Sequence, residues 1–164
     1  MNEYRGHAAS AGIAIGPAYL YVPGIIPGDE CTEPADAARQ LERLTEAVAE
    51  ARSQLANIHA KTVAKVGRET AEVFLAHREF LDDPELLRMV KEQISSDGVL
   101  ARTAVEAAFE TYTQMLEAMD QEYYRDRALD LRDVSRRVRR ILAGVQDQET
   151  LAKLTSPVVI VART

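Results

Sequence analysis

From about Pro34 to about Val66, apolar residues recur at helical spacing. Leu41, Leu44, Val48, Leu55 and Ile58 fall three or four residues apart, or at multiples of that, and Ala51 fills the gap. Arg39, Glu42, Glu46, Glu50 and Arg52 take the opposite face. The pattern predicts one helix close to ~50 Å long, ended by Gly67. A second helix is predicted over Arg68 to Asp82, with Phe74, His77 and Leu81 on one face. Asp83-Pro84-Glu85 then signals a restart, with Asp83 as N-cap, proline at the first helical position and an acid in the first turn. That third helix is expected to end near Asp97-Gly98. Leu100 to about Tyr124 predicts a fourth, with Val105, Ala108, Phe109, Tyr112, Leu116 and Met119 as its buried stripe. A last helix, about Asp126 to Ala143, would bury Leu131, Val134, Val138 and Ile141 and stop at Gly144.

The flanks follow a different pattern. Ser10 to Val22 predicts two short strand pieces broken at Gly16-Pro17, and Pro23-Gly24 and Pro27-Gly28 punctuate a loop. Pro157 to Ala162 is a continuous apolar run of the kind buried on both faces of a sheet. Two strands alone make a marginal sheet. The helices therefore look like an insertion into an α/β unit, and a chain that stops at Thr164 is expected to be a piece of a longer protein.

Composition narrows the classes. Of the 164 residues, 46% are hydrophobic, 28% charged and 5% aromatic, a globular balance leaning towards helix formers. A net charge of −6 argues against nucleic acid as the main partner and suits basic protein surfaces. Cys31 is the single cysteine, so no internal disulfide is possible. No run approaches a membrane span, and Met1 to Gly16 lacks the apolar core of a signal peptide, so the expected compartment is the cytoplasm.

Catalytic chemistry is sparse. The histidines are His7, His59 and His77, and neither a phosphate loop, a Gly-x-Ser-x-Gly elbow nor a metal-ligand spacing is present. Arg132, Arg136, Arg137, Arg139 and Arg140 form a basic run, with Asp126, Asp130 and Asp133 placed to pair along the same helix. A solvated, ion-paired face is the expected reading of that run. Around the second helix, Glu69, Glu72, Glu79, Asp82, Asp83 and Glu85 surround Phe74, Phe80 and Leu86. Acids around an apolar centre suit a basic partner protein.

Specific residues resemble a family. Glu122-Tyr123, Arg127-Ala128, Asp130-Leu131-Arg132-Asp133-Val134 and Arg137 resemble the stretch closing the helical domain of enzyme I of the bacterial sugar phosphotransferase system. Ser10-Ala11-Gly12-Ile13-Ala14-Ile15-Gly16 is similar to that family's opening, with Ala11 where proline is usual. Phe74, His77, Leu81, Asp83, Glu85 and Leu86 fall on its helix-pair motif, and Val158 to Val161 on its return strand. The resemblance implies a mainly α fold, an antiparallel helical claw or four-helix bundle (32–145) inserted into a small, here incomplete, α/β phosphohistidine domain (1–31 and 146–164). It implies an enzyme that moves a phosphoryl group from phosphoenolpyruvate, with Mg²⁺, through a histidine to the small protein HPr. The acceptor histidine of the family lies in a Gly-Gly-x-Thr-Ser-His segment. None occurs here, so no catalytic residue, cofactor or metal ligand is expected in this chain. Carried over residue by residue, Glu69, Phe74, His77, Asp83, Glu85, Leu86, Leu116 and Arg127 would face HPr or an HPr-like phosphocarrier, and the remaining domains of the parent enzyme would be further partners. Arg68, where an acid is common, and Glu79, where an apolar residue is common, depart from the pattern. Nitrogen-branch and multi-domain members with altered partners stay open, as does a non-enzymatic helical adaptor.

Overall fold

The computed structural model describes residues 12–21, 35–145 and 156–162. The elements run β1 (Ala18–Tyr21), α1 (Ala37–Lys65), α2 (Arg68–Asp82), α3 (Pro84–Asp97), α4 (Ala101–Glu117), α5 (Glu122–Leu142) and β2 (Val159–Ala162). The mainly α expectation holds. The chain divides into two compact units, one containing the two strands and the other, Ile26–Gln146, the five helices. His7, Cys31, Ser10, Ala11 and the Pro-Gly loop signals lie outside the described residues.

In the first unit β1 and β2 pair in parallel, with Ala18 opposite Val159 and Tyr21 opposite Ala162. The Val159 amide donates to the Pro17 carbonyl at 2.9 Å. Proline therefore stands just before β1, where its missing donor does no harm. Two expectations need correction. Ile13–Gly16 forms no strand, and Ile13 and Ile15 are exposed. The second strand is not buried on both faces, because Ile160 and Val161 are about half exposed.

In the helical unit α1 is 29 residues long, about 43 Å. It starts at Asp36, whose carboxylate accepts from the Ala38 and Arg39 amides at 3.0 and 3.3 Å. Leu44, Val48, Ala51 and Leu55 bury its apolar stripe. Gly67, at φ 119°, takes a backbone conformation that disfavours any other residue and separates α1 from α2. Asp83 ends α2 and caps α3 through the Glu85 and Leu86 amides at 2.9 and 3.0 Å, with Pro84 at the first helical position. Leu86, Val90 and Ile94 then fall four apart and are fully buried. They meet Val105, Ala108 and Phe109 of α4 and Leu131, Val134 and Val138 of α5 in one core.

Polar side chains seal two helix ends. The α4 N-terminus has no side-chain cap of its own, and the buried Gln40 carbonyl accepts from the Ala101 amide at 3.1 Å. Arg43 of α1 donates through Nη2 to the Leu142 carbonyl at 2.6 Å, closing the last turn of α5.

The α4–α5 boundary differs from expectation. Helix α4 ends at Glu117 rather than near Tyr124, and α5 starts at Glu122 rather than Asp126. The Met119 amide bonds the Leu116 carbonyl, a tightened final turn that swings Met119 out to 42% exposure.

Candidate functional site

The docking residues expected from the sequence lie on α2, the α2–α3 corner, α4 and α5. Along α2 the half-buried Phe74 and Phe80 stand six residues apart, with the buried His77 between them. Beyond them Asp83 turns the corner. Its Oδ1 caps α3, and its Oδ2 accepts from the Tyr112 hydroxyl of α4 at 3.5 Å. Burial, then the Asp83 carboxylate, raises the Tyr112 pKa, so the phenol stays a donor. Leu116 lies one turn further along α4, half-buried against the core.

Arg127 of α5 is a held cation. Its guanidinium lies over the rings of Phe80 and Tyr123, at 5.7 and 5.4 Å. Its Nε donates to the Tyr123 hydroxyl at 3.1 Å, and an Nη reaches to 3.9 Å from the Glu79 carboxylate. Two rings from different helices thus fix a side chain that would otherwise sample many rotamers.

Glu85 is exposed on the first turn of α3 and forms a two-pronged ion pair with Arg88. Nη2 meets Oε1 at 2.6 Å and Nε meets Oε2 at 3.0 Å. The hydrogen bond from Arg88, and then its charge, hold the Glu85 carboxyl below the usual carboxylate range. Glu69 is exposed in the first turn of α2, about 20 Å along the helix from the corner.

Two of the expected contact residues do not present a surface. Leu86 has 0% of its surface exposed, because its position in the i, i+4, i+8 stripe of α3 turns it into the core. His77 is 8% exposed and forms a T-shaped contact with Phe74 at 6.1 Å. Its Nε2 lies 3.2 Å from Oδ1 of Asp130, so an imidazole protonated there donates to the carboxylate and ties α2 to α5. Asp130→Ala would leave that buried donor unpaired. It is expected to destabilise the helical unit by about 1–3 kcal/mol in urea unfolding, and an unchanged midpoint would show that the tie carries no stability.

Sequence reading placed Phe80 in the apolar centre of the cluster but passed over Tyr112 and Tyr123 as site-builders, and over Arg88 and Asp130 in that role. The Tyr123–Arg127 spacing is a helical i, i+4 pair, but it is visible only once α5 begins at Glu122.

The basic run of α5 is ion-paired, mostly across helices rather than along one. Arg132 meets Glu117 and Arg139 meets Glu106, each at 2.7 Å, and Arg136 lies 3.8 Å from Asp133. Arg132, Arg136 and Arg139 line a groove of about 340 Å³, with Glu106 and Glu110 on its α4 wall. Among the described residues no group of three or more His, Cys, Asp or Glu side chains is arranged to hold a metal. No helix among them is long and apolar enough to cross a membrane.

Comparison with known proteins follows the same lines. The chain is 39% identical over 163 residues to the phosphoenolpyruvate-protein phosphotransferase of Bacillus subtilis, covering 99% of this chain and 28% of that protein. It is 41% identical over 141 residues to the protein of the same name from Geobacillus stearothermophilus, covering 86% and 24%. The chain thus spans about a quarter of the length of these relatives. Among solved structures it resembles a solution structure of an Enzyme I protein, with TM-score 0.82 and 34% identity over 95% of this chain and 63% of that one. It also resembles an N-terminal domain of the nitrogen form of Enzyme 1, with TM-score 0.70 and 25% identity over 93% and 70%. Residues 5–127 match the family described as PEP-utilising enzyme, N-terminal, and the chain belongs to that family.

Proposed function

We propose that this chain is the docking part of a phosphoenolpyruvate-protein phosphotransferase, and that its helical unit receives HPr or an HPr-like phosphocarrier at the α2–α3 corner. The observation that carries the reading is the α2–α3 corner itself, where Asp83 meets Tyr112 of α4 beside the exposed Glu85, together with Arg127 of α5 stacked on Phe80 of α2. Apolar side chains at the centre of such a patch supply most of the affinity, and charges at its rim speed encounter and select the partner. The contact residues proposed are Glu69, Phe74, Asp83, Glu85, Leu116 and Arg127, and His77 and Leu86 support them from beneath.

The parent enzyme would move a phosphoryl group from phosphoenolpyruvate through a histidine to the carrier, in the cytoplasm and with Mg²⁺. This chain would supply the grip on the carrier, and the remaining domains of the parent would supply the phosphorylated histidine. The buried, engaged His77 is poorly placed to act as a phosphoryl acceptor. The higher similarity to the Enzyme I structure than to its nitrogen counterpart favours a sugar-branch carrier. The internally paired arginines of α5 weigh against a nucleic-acid role.

Nuclear magnetic resonance tests the location. When HPr of Bacillus subtilis is titrated into isotope-labelled chain, the amide shifts are expected to move along α2, the first turn of α3 and the start of α5. Shifts confined to 132–140, or no shifts at all, would overturn the reading.

A further inference from the structure

Glu85 is an exposed carboxylate two residues beyond the Asp83 cap, and it is not free. Arg88, one turn on, lays its guanidinium fork across both carboxylate oxygens, at 2.6 and 3.0 Å, and extends its remaining Nη1 to Glu92 at 2.5 Å. The three residues lie along one exposed stripe of α3 at i, i+3 and i+7. A carboxylate offers about four lone-pair positions, and a bidentate guanidinium takes the two best placed. Arg88 therefore stands where a basic side chain of a partner would stand. It also puts a positive charge in the path of that side chain.

We infer that Arg88 is a specificity-determining residue of the docking corner: it acts as an internal substitute for a partner's basic side chain and lowers the affinity of the corner for basic proteins. The inference rests on the docking reading above. It adds that Glu85 contributes less to binding than its position implies, until Arg88 is removed. A partner with a strongly basic patch can displace the guanidinium, because an exposed ion pair is held by little net energy. A weakly basic protein cannot, and the corner thereby rejects it. The geometry separates this from simple charge repulsion. Repulsion by Arg88 would act on a basic partner whether or not Glu85 carried a charge, whereas occupation of the carboxylate makes the effects of the two residues depend on each other.

The test is a four-member cycle in the full chain, with HPr of Bacillus subtilis as the probe and calorimetric titration at low salt as the readout. The proteins are the wild type, E85Q, R88Q and the double variant. All four keep helix-compatible residues at exposed positions, and circular dichroism confirms that each is folded. R88Q is expected to bind HPr more tightly than the wild type by roughly two- to fivefold. E85Q is expected to cost little in the wild type and roughly two- to fivefold more in the R88Q background. Additive effects, or weaker binding by R88Q, would overturn the role of Arg88 while leaving the docking reading intact, provided that the wild type binds. If the wild type fails to bind HPr, the docking reading and this inference fall together.

Discussion

Replacing Leu86 by alanine is expected to destabilise the helical unit by about 2–5 kcal/mol while leaving the HPr affinity of the folded fraction unchanged. Leu86 has no exposed surface and packs in the same cluster as Val90, Ile94, Val105 and Phe109. Truncation there removes buried methyl groups and leaves a cavity among helices already in contact. Because small domains hold only about 5–15 kcal/mol in total, urea unfolding should show a large fall in midpoint. A contact role predicts the reverse, with weak binding and an unchanged midpoint. The motif resemblance placed Leu86 on the partner face, and the L86A comparison decides between that placement and the core.

Reversing the charge at Glu85 is expected to weaken HPr binding roughly tenfold at low salt. The loss has two parts. The corner loses a carboxylate that Arg88 already occupies, and the new ammonium beside Arg88 adds a positive charge facing a basic partner. Stability should change little, since the Glu85 side chain is more than half exposed and the cap belongs to Asp83. Salt should shrink the difference between wild type and variant, because exposed charges are screened within about 10 Å at 0.1 M.

Local signals made most of the helical unit legible. The Asp83-Pro84-Glu85 restart combines a capping carboxylate, a residue pre-set for the first turn and an acid at the positive end of the helix, so the α2–α3 corner could be read from three consecutive residues. Gly67 and Gly98 marked turns for the same local reason. The α4–α5 break carried no such mark. Ala118 to Gln121 contains neither glycine nor proline, and Met119 continues the apolar spacing of Tyr112 and Leu116. The tightened turn at Met119 and its outward exposure show that the helix has ended.

The candidate site was legible in its α2 and α3 residues and obscure in the partners they find. His77 and Asp130 are separated by 53 positions, and Tyr112 and Asp83 by 29. Pairing over such distances depends on how helices pack, which periodicity does not encode. The burial of Leu86 was written in the sequence, in the four-residue spacing of Leu86, Val90 and Ile94. Sequence reading does not take that spacing as a stripe and instead groups Leu86 with the acidic cluster around α2.

The central claim is that the α2–α3 corner, rather than the arginine face of α5, receives a basic phosphocarrier. Arg136 provides the control. It lies nine residues from Arg127, which at about 100° per residue places it on the opposite face of α5, and its side chain is 65% exposed. Calorimetric titration of Bacillus subtilis HPr into the wild type, E85K and R136E is the most direct measurement. The account predicts salt-sensitive binding by the wild type, a roughly tenfold loss in E85K and little change in R136E. Binding abolished in R136E and untouched in E85K would contradict it.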